Sequence, residues 1–154
     1  MPKRSAGLLL HRRRGEAVEV FLVHPGGPFR ARKDAGVWSI PKGEYTDDEE
    51  PLAAARRELT EETGLVADGT FLPLGEVRQA GGKVVVAWAA EADFDAATIR
   101  SNTFSMEWPP KSGKTREFPE VDRGAWFTIP IARAKILAAQ AVFLDRLQAA
   151  LPVP

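Results

Sequence analysis

The chain has 154 residues, 44% hydrophobic and 27% charged, with twenty-one Lys and Arg balanced by twenty-one Asp and Glu. This composition fits one globular domain over residues 1–154, and the cancelled charge excludes a broad electrostatic pull toward nucleic acid or an anionic membrane. Cys is absent, so disulfides and thiolate metal sites are excluded, and no apolar run reaches the length of a membrane span. The expected location is cytoplasmic.

In chain order, the opening MPKRSAGLLLHRRR sets basic residues before an apolar run too brief for a secretion leader, so none is expected. Ser5–His11 and Ala17–His24 are β-like and flank a polar turn from Arg12 to Glu16, which predicts a hairpin. A loop from His24 to Gly36 carries Arg30, Arg32 and Lys33. Val37–Ile40 reads as a short strand closed by Pro41. A helix is predicted over Pro51–Thr63: Pro51 suits the first helical position, and Gly64 suits the left-handed residue beyond the end. Strands follow at Leu74–Gln79 and Lys83–Glu91 around Ala80-Gly81-Gly82. Shorter strands are predicted at Ser105–Trp108 and Ala125–Thr128, separated by a polar loop from Pro109 to Glu117. The spacing of Ile136, Ala139, Phe143, Leu144, Leu147 and Leu151 predicts one helix over Ile131–Leu151. Strands dominate and the helices are far apart in sequence, so the expected class is α/β, a mixed β-sheet sandwiched between helices.

The first helix has unusual chemistry. Leu52, Ala55 and Leu59 share one arc, while Glu58, Glu61 and Glu62 share the next, because residues three and four apart point the same way. Three carboxylates at the edge of a buried stripe repel unless something positive sits among them. Oxygen ligands without His or Cys suit a hard divalent ion, Mg²⁺ or Mn²⁺, better than zinc or copper. A solvated acidic face is the bland alternative for any such triplet.

The wider segment is specific. Gly43, five residues, Glu49, seven residues, then Arg57-Glu58-Leu59-Thr60-Glu61-Glu62-Thr63-Gly64-Leu65 resembles the Nudix box at each of its fixed positions, over 23 residues. The resemblance implies the Nudix fold across the chain and a loop–helix–loop that holds Mg²⁺ for hydrolysis of nucleoside diphosphates linked to another group. It implies that Glu58, Glu61 and Glu62 face the metal, together with the main chain at Gly43, and that Glu49 pairs with Arg57 to hold the box together. The general base differs among such enzymes. Here it is a box glutamate, Glu58 or Glu61, or a distal one in Glu117-Phe118-Pro119-Glu120, where Glu120 resembles the position six residues ahead of a Trp that serves in some relatives and Glu117 is the runner-up. Either distal residue could instead be an ordinary loop carboxylate.

The box is preceded by Trp38-Ser39-Ile40-Pro41-Lys42-Gly43, whose PKG ending resembles the branch acting on dinucleoside polyphosphates and inositol pyrophosphates. Lys42 would put a point charge beside the metal, where additional phosphates lie. Arg30, Arg32, Lys33, Lys111, Lys114 and Arg116 could extend that groove. Trp38, Trp88 and Trp126 read as core, leaving Trp108, with Phe104 behind it, as the aromatic platform for a base. The only tyrosine, Tyr45, lies inside the box, whereas dinucleoside tetraphosphate enzymes often use a downstream one. His11 and His24, at predicted strand ends, are given structural roles. The expected partner is a nucleotide or other polyphosphate. A nucleoside triphosphate pyrophosphohydrolase and a non-catalytic nucleotide sensor are the alternatives, and the intact box weighs against the sensor.

Overall fold

A computed structural model describes residues 3–151. Strands β1 (Arg4–Arg14) and β2 (Ala17–Pro25) form an antiparallel hairpin, and Arg14 faces Ala17 across a two-residue turn. The turn is tighter than the sequence predicts, because Arg12 stays in the ladder, bonded to Glu19 at 2.8 Å and to Asp93 at 2.9 Å. Strands β4 (Phe71–Arg78) and β5 (Val84–Glu91) follow the short β3 (Lys42–Glu44) and helix α1 (Pro51–Thr63). The sheet runs β4-β5-β1-β2-β8, with β8 at Val121–Thr128, and β3 pairs with the start of β1. Only β1 and β5 are parallel among its ladders, so the sheet is mixed.

Alternation along β1 builds the two layers. Leu8 and Leu10 point to the face covered by α1, where they meet Ala54, Ala55, Leu59 and Phe21. Leu9 points the other way, toward Phe143, Leu144 and Leu147. Both faces are thus buried, and the class is α/β with helices on both sides, as expected. Trp38 is core; Trp88 and Trp126 are partly buried against it. No helix among the described residues is long and apolar enough to cross a membrane.

Three elements depart from the sequence reading. The chain at Val37–Ile40 forms only isolated bridges, because Trp38 and Ser39 split their backbone bonds between two neighbours. Ser39 exchanges bonds with Val23, at 3.0 and 2.8 Å, while Trp38 accepts from Leu137 and donates to Lys135. The same bonds break the predicted C-terminal helix. It is α2 (Ile129–Lys135), an extended Ile136 and Leu137, a 3-10 turn at Ala138–Gln140, then α3 (Ala141–Ala150). Finally, the loop expected from Pro109 to Glu117 contains the start of β7 (Thr115–Pro119), which pairs with β6 (Thr103–Glu107) as a separate hairpin. Thr115, Arg116 and Glu117 are polar and exposed, so the start of β7 carries no alternating apolar signal.

Gln140 at the break is fully buried. Its carbonyl accepts from the Ile40 N–H at 3.0 Å, and its amide donates to Ser39 Oγ at 3.0 Å and Gln79 Oε1 at 2.9 Å. One side chain therefore ties the C-terminal layer to the segment that leads into Lys42 and Gly43. Gln140→Leu keeps the volume and orphans the Ile40 N–H, so we expect a loss of about 1–3 kcal/mol in urea unfolding, with m unchanged. Wild-type stability in this variant would show that the amide is not such a tie.

Candidate functional site

Helix α1 has the predicted bounds, and each end has a physical cause. Glu50 caps the start with both carboxylate oxygens, accepting from the N–H groups of Leu52 and Ala53 at 3.3 and 3.1 Å. Gly64 ends it in the left-handed region at φ 79°, its N–H donating to the Thr60 carbonyl. Ala54, Ala55 and Leu59 dock on the sheet, so Glu58 and Glu62 are turned toward β3 at the margin of that contact.

Glu58 lies against Gly43: a Cβ at residue 43 would sit 2.0 Å from its carboxyl carbon. Any larger residue at 43 would have to push that carboxylate out of its place. Glu62 accepts from the Lys42 N–H at 3.3 Å. Burial, then the nearby Glu58, push the Glu62 carboxyl up to about 8. Burial and Glu61 push Glu58 in the same direction, against the pull of Arg57.

Arg57 is the counter-charge. It grips Glu49 with two bonds, Nε at 2.7 Å and Nη2 at 2.9 Å, and its Nη1 reaches Glu58 at 2.9 Å and Glu61 at 3.1 Å. The Glu49 bonds, before all else, raise the guanidinium above its ordinary value and hold the Glu49 carboxyl below its own.

A cavity of about 470 Å³ is lined by Lys42, Gly43, Glu58, Glu61, Glu62 and Glu120, with Lys83 and Asn102. Glu120, between β7 and β8, is thereby brought to the box glutamates, and its backbone is pinned by bonds to Asn102 and Gly26. Glu117 stands in β7 opposite Ser105, outside this lining. A second cleft shares Lys42, Glu62 and Glu120 and adds Arg30 and Ser39. Trp108 borders neither; its ring meets Phe29 edge-on at 5.4 Å. His11 is interior to β1 rather than at a strand end, and burial lowers its proton affinity.

Lys83 and Asn102 escaped the sequence reading. Lys83 simply precedes an apolar strand, and only the pairing of β5 and β3 with β1 puts it near Lys42, whose own ammonium is pushed down by burial and then by Lys83. Asn102 is placed by a bond from its N–H to the Glu61 carbonyl at the end of α1.

Among the described residues, no three acidic or His side chains converge closely enough to form a ready metal cage. Glu58 and Glu61 lean to Arg57 instead. The donor chemistry nonetheless fits a hard divalent cation: the acidic groups are all carboxylates, and two are desolvated side by side, an arrangement that a positive ion relieves.

A family model described as NUDIX domain matches residues 1–147. Among solved structures, the chain is similar to the C. elegans Ap4A hydrolase in a binary complex, with 20% identity and TM-score 0.68 over 94% of this chain and 96% of that one. It is also similar to the NUDIX domain of Shewanella oneidensis NrtR complexed with ADP ribose, with 18% identity and TM-score 0.67 over 99% and 90%. The E. coli ORF135 protein matches at 19% identity and TM-score 0.59 over 96% and 89%. At these identities the structures show a shared fold.

Two outcomes follow from the charge geometry. Arg57→Ala removes a bidentate pair and leaves Glu58 and Glu61 uncompensated, so a loss of about 1–2 kcal/mol is expected, discounted for partial exposure. An unaltered melting temperature would contradict that role. With chelator present, Glu62 costs folding free energy once it ionises, because its folded value of about 8 exceeds its ordinary 4.5. The cost is absent below about pH 4.5 and grows as pH rises toward 8. Glu62→Gln should therefore be more stable than wild type by roughly 1–3 kcal/mol at pH 8, and no more stable near pH 4.5. Parallel stability curves across that window would show that Glu62 does not titrate with folding.

Proposed function

The chain belongs to the Nudix family of pyrophosphohydrolases, and from that premise we propose that it cleaves a phosphoanhydride bond in a dinucleoside polyphosphate. The observation that carries this reading is that each of two clefts sharing Lys42, Glu62 and Glu120 is lined by cations as well as carboxylates. Lys83 and Lys42 border the acidic cavity, and Lys42 and Arg30 border the next, with Glu62 and Glu120 common to both. A chain of several phosphates could pass the carboxylates and still meet a cation on either side, whereas a diphosphate would engage fewer of them.

Glu58, Glu61 and Glu62, with the main chain at Gly43, would hold the divalent cation, Mg²⁺ with Mn²⁺ as a substitute. That cation would supply polarisation of the bridging phosphate and activation of a water. The chain's own groups do the rest. Arg57 orients Glu58 and Glu61 while Glu49 fixes Arg57. Because Arg57 already donates to Glu58 and Glu61, the freer carboxylate is exposed Glu120, and we assign to it the removal of the water's proton. Lys42 neutralises phosphate charge beyond the cleaved bond. Trp108, whose ring meets Phe29 edge-on, would be the platform on which a base stacks.

The test is a panel of dinucleoside polyphosphates, nucleoside triphosphates, ADP-ribose and inositol pyrophosphates with Mg²⁺ and with Mn²⁺, repeated on Lys42→Ala. We expect Lys42→Ala to lower kcat/KM roughly ten- to a hundred-fold on a dinucleoside tetraphosphate and less on ADP-ribose, the gap shrinking with added salt. Equal losses on both would confine Lys42 to shaping the loop and raise the triphosphate alternative to equal standing. Binding without turnover across the panel would favour the sensor.

A further inference from the structure

His24 has no role in the box, yet it is fully buried and its ring is held at both nitrogens. Nδ1 lies 2.9 and 3.1 Å from the two oxygens of Asp122, and Nε2 lies 2.6 Å from the carbonyl oxygen of Lys33. A carboxylate and a carbonyl both only accept, so both ring nitrogens must carry hydrogen for the two bonds to exist together. The ring in this geometry is an imidazolium paired with Asp122.

The bond to Lys33 fixes the loop that follows β2. That loop is tied at its start by the Gly26 N–H, which donates to the Glu120 carbonyl at 2.9 Å, and the Lys33 N–H turns back to the Arg30 carbonyl at 3.0 Å. Arg30, between these ties, lines the cleft shared with Lys42, Glu62 and Glu120. We propose that His24 is a positioning residue: clamped as an imidazolium between Asp122 and the Lys33 carbonyl, it holds the loop so that Arg30 meets the phosphate chain. The inference rests on the polyphosphate reading above.

Other charged groups around the ring are few. Arg123, beside Asp122 at 3.5 Å, also lies over the Trp38 ring at 5.2 Å, and Trp38 meets the His24 ring edge-on at 5.1 Å. Behind Trp38 stand Asp34 and Lys135, paired with each other. When His24 loses its proton, the remaining hydrogen stays on the side of the carboxylate, the stronger acceptor. Nε2 then presents a lone pair to the Lys33 carbonyl, and the loop is released.

Asp122→Asn separates this from general structural support. The amide can donate to Nδ1, which leaves a neutral ring with its Nε2–H still on Lys33. In wild type, loss of the second ring proton should bring a rise of about three- to ten-fold in KM for a dinucleoside tetraphosphate, with kcat changed less. Asp122→Asn should lose that rise, although the substrate's own ionisations are common to both. His24→Leu and Arg30→Ala should each raise KM, and the double variant no further than either alone. Ring ¹⁵N spectra should show both His24 nitrogens protonated where KM is low, and the protection factor of the Lys33 amide should fall where KM rises in wild type but not in Asp122→Asn. A bare Nε2 where KM is low, identical KM–pH profiles, additive KM effects or unchanged Lys33 protection would overturn the proposal. If the panel finds no substrate, the polyphosphate reading falls, while the spectra and amide exchange still decide the clamp.

Discussion

Carboxylates crowded at a half-buried helix edge repel one another in a medium that screens poorly, and the rest of this site depends on how that repulsion is held. Arg57 holds it by reaching four groups at once: Glu49 with a fork, Glu58 and Glu61 with a single Nη1, and more weakly the Glu44 carbonyl at 3.4 Å. A lysine could not span that set, since only a planar guanidinium presents several donors in fixed directions. The arrangement leaves Glu62 out of Arg57's reach, with the Lys42 N–H as its hydrogen-bond donor. Glu62 is accordingly the carboxyl pushed furthest toward its neutral form.

The backbone opposite the helix must approach closely for this to work, and two glycines permit it. Gly43 admits the Glu58 carboxyl, and Gly7 on β1 lets the Pro41–Lys42 segment lie across it, where a Cβ would meet the Pro41 oxygen at 2.6 Å. That segment is then fixed from several sides. β3 pairs with β1, Ser39 with Val23, and Gln140 binds Ile40 from the far layer. Lys42 is thus carried on backbone held by most of the sheet, although β3 itself has only 3 residues.

The second half of the cleft is assembled differently. Glu120, Arg30 and Asn102 come from loops: the one that joins β7 to β8, the one that follows β2 and the one that leads into β6. They are held by a few backbone bonds and by the His24 ring between Asp122 and the Lys33 carbonyl, so polar contacts set much of their geometry. Loops positioned in this way by a rigid scaffold are the usual carriers of specificity.

The sequence by itself determined the local features. Helix α1 is bounded by Pro51 and Gly64 through backbone sterics, its acidic arc follows from helical periodicity, and the Glu49–Arg57 pair lies within one continuous motif. The alternation in β1 and β2 likewise fixed the hairpin and a two-faced sheet. Tertiary structure alone decided the rest. It broke the C-terminal helix, whose apolar spacing runs on across Ile136 and Leu137, because Trp38, far away in the chain, takes the Lys135 carbonyl and the Leu137 N–H. It brought Lys83, Asn102 and Glu120 to the cavity and set the buried His24 ring between Asp122 and the Lys33 carbonyl. Periodicity reports which way a side chain faces within its own element. Which distant partner it meets depends on strand order and register, and those are set by the whole chain's burial and not by any single segment of it.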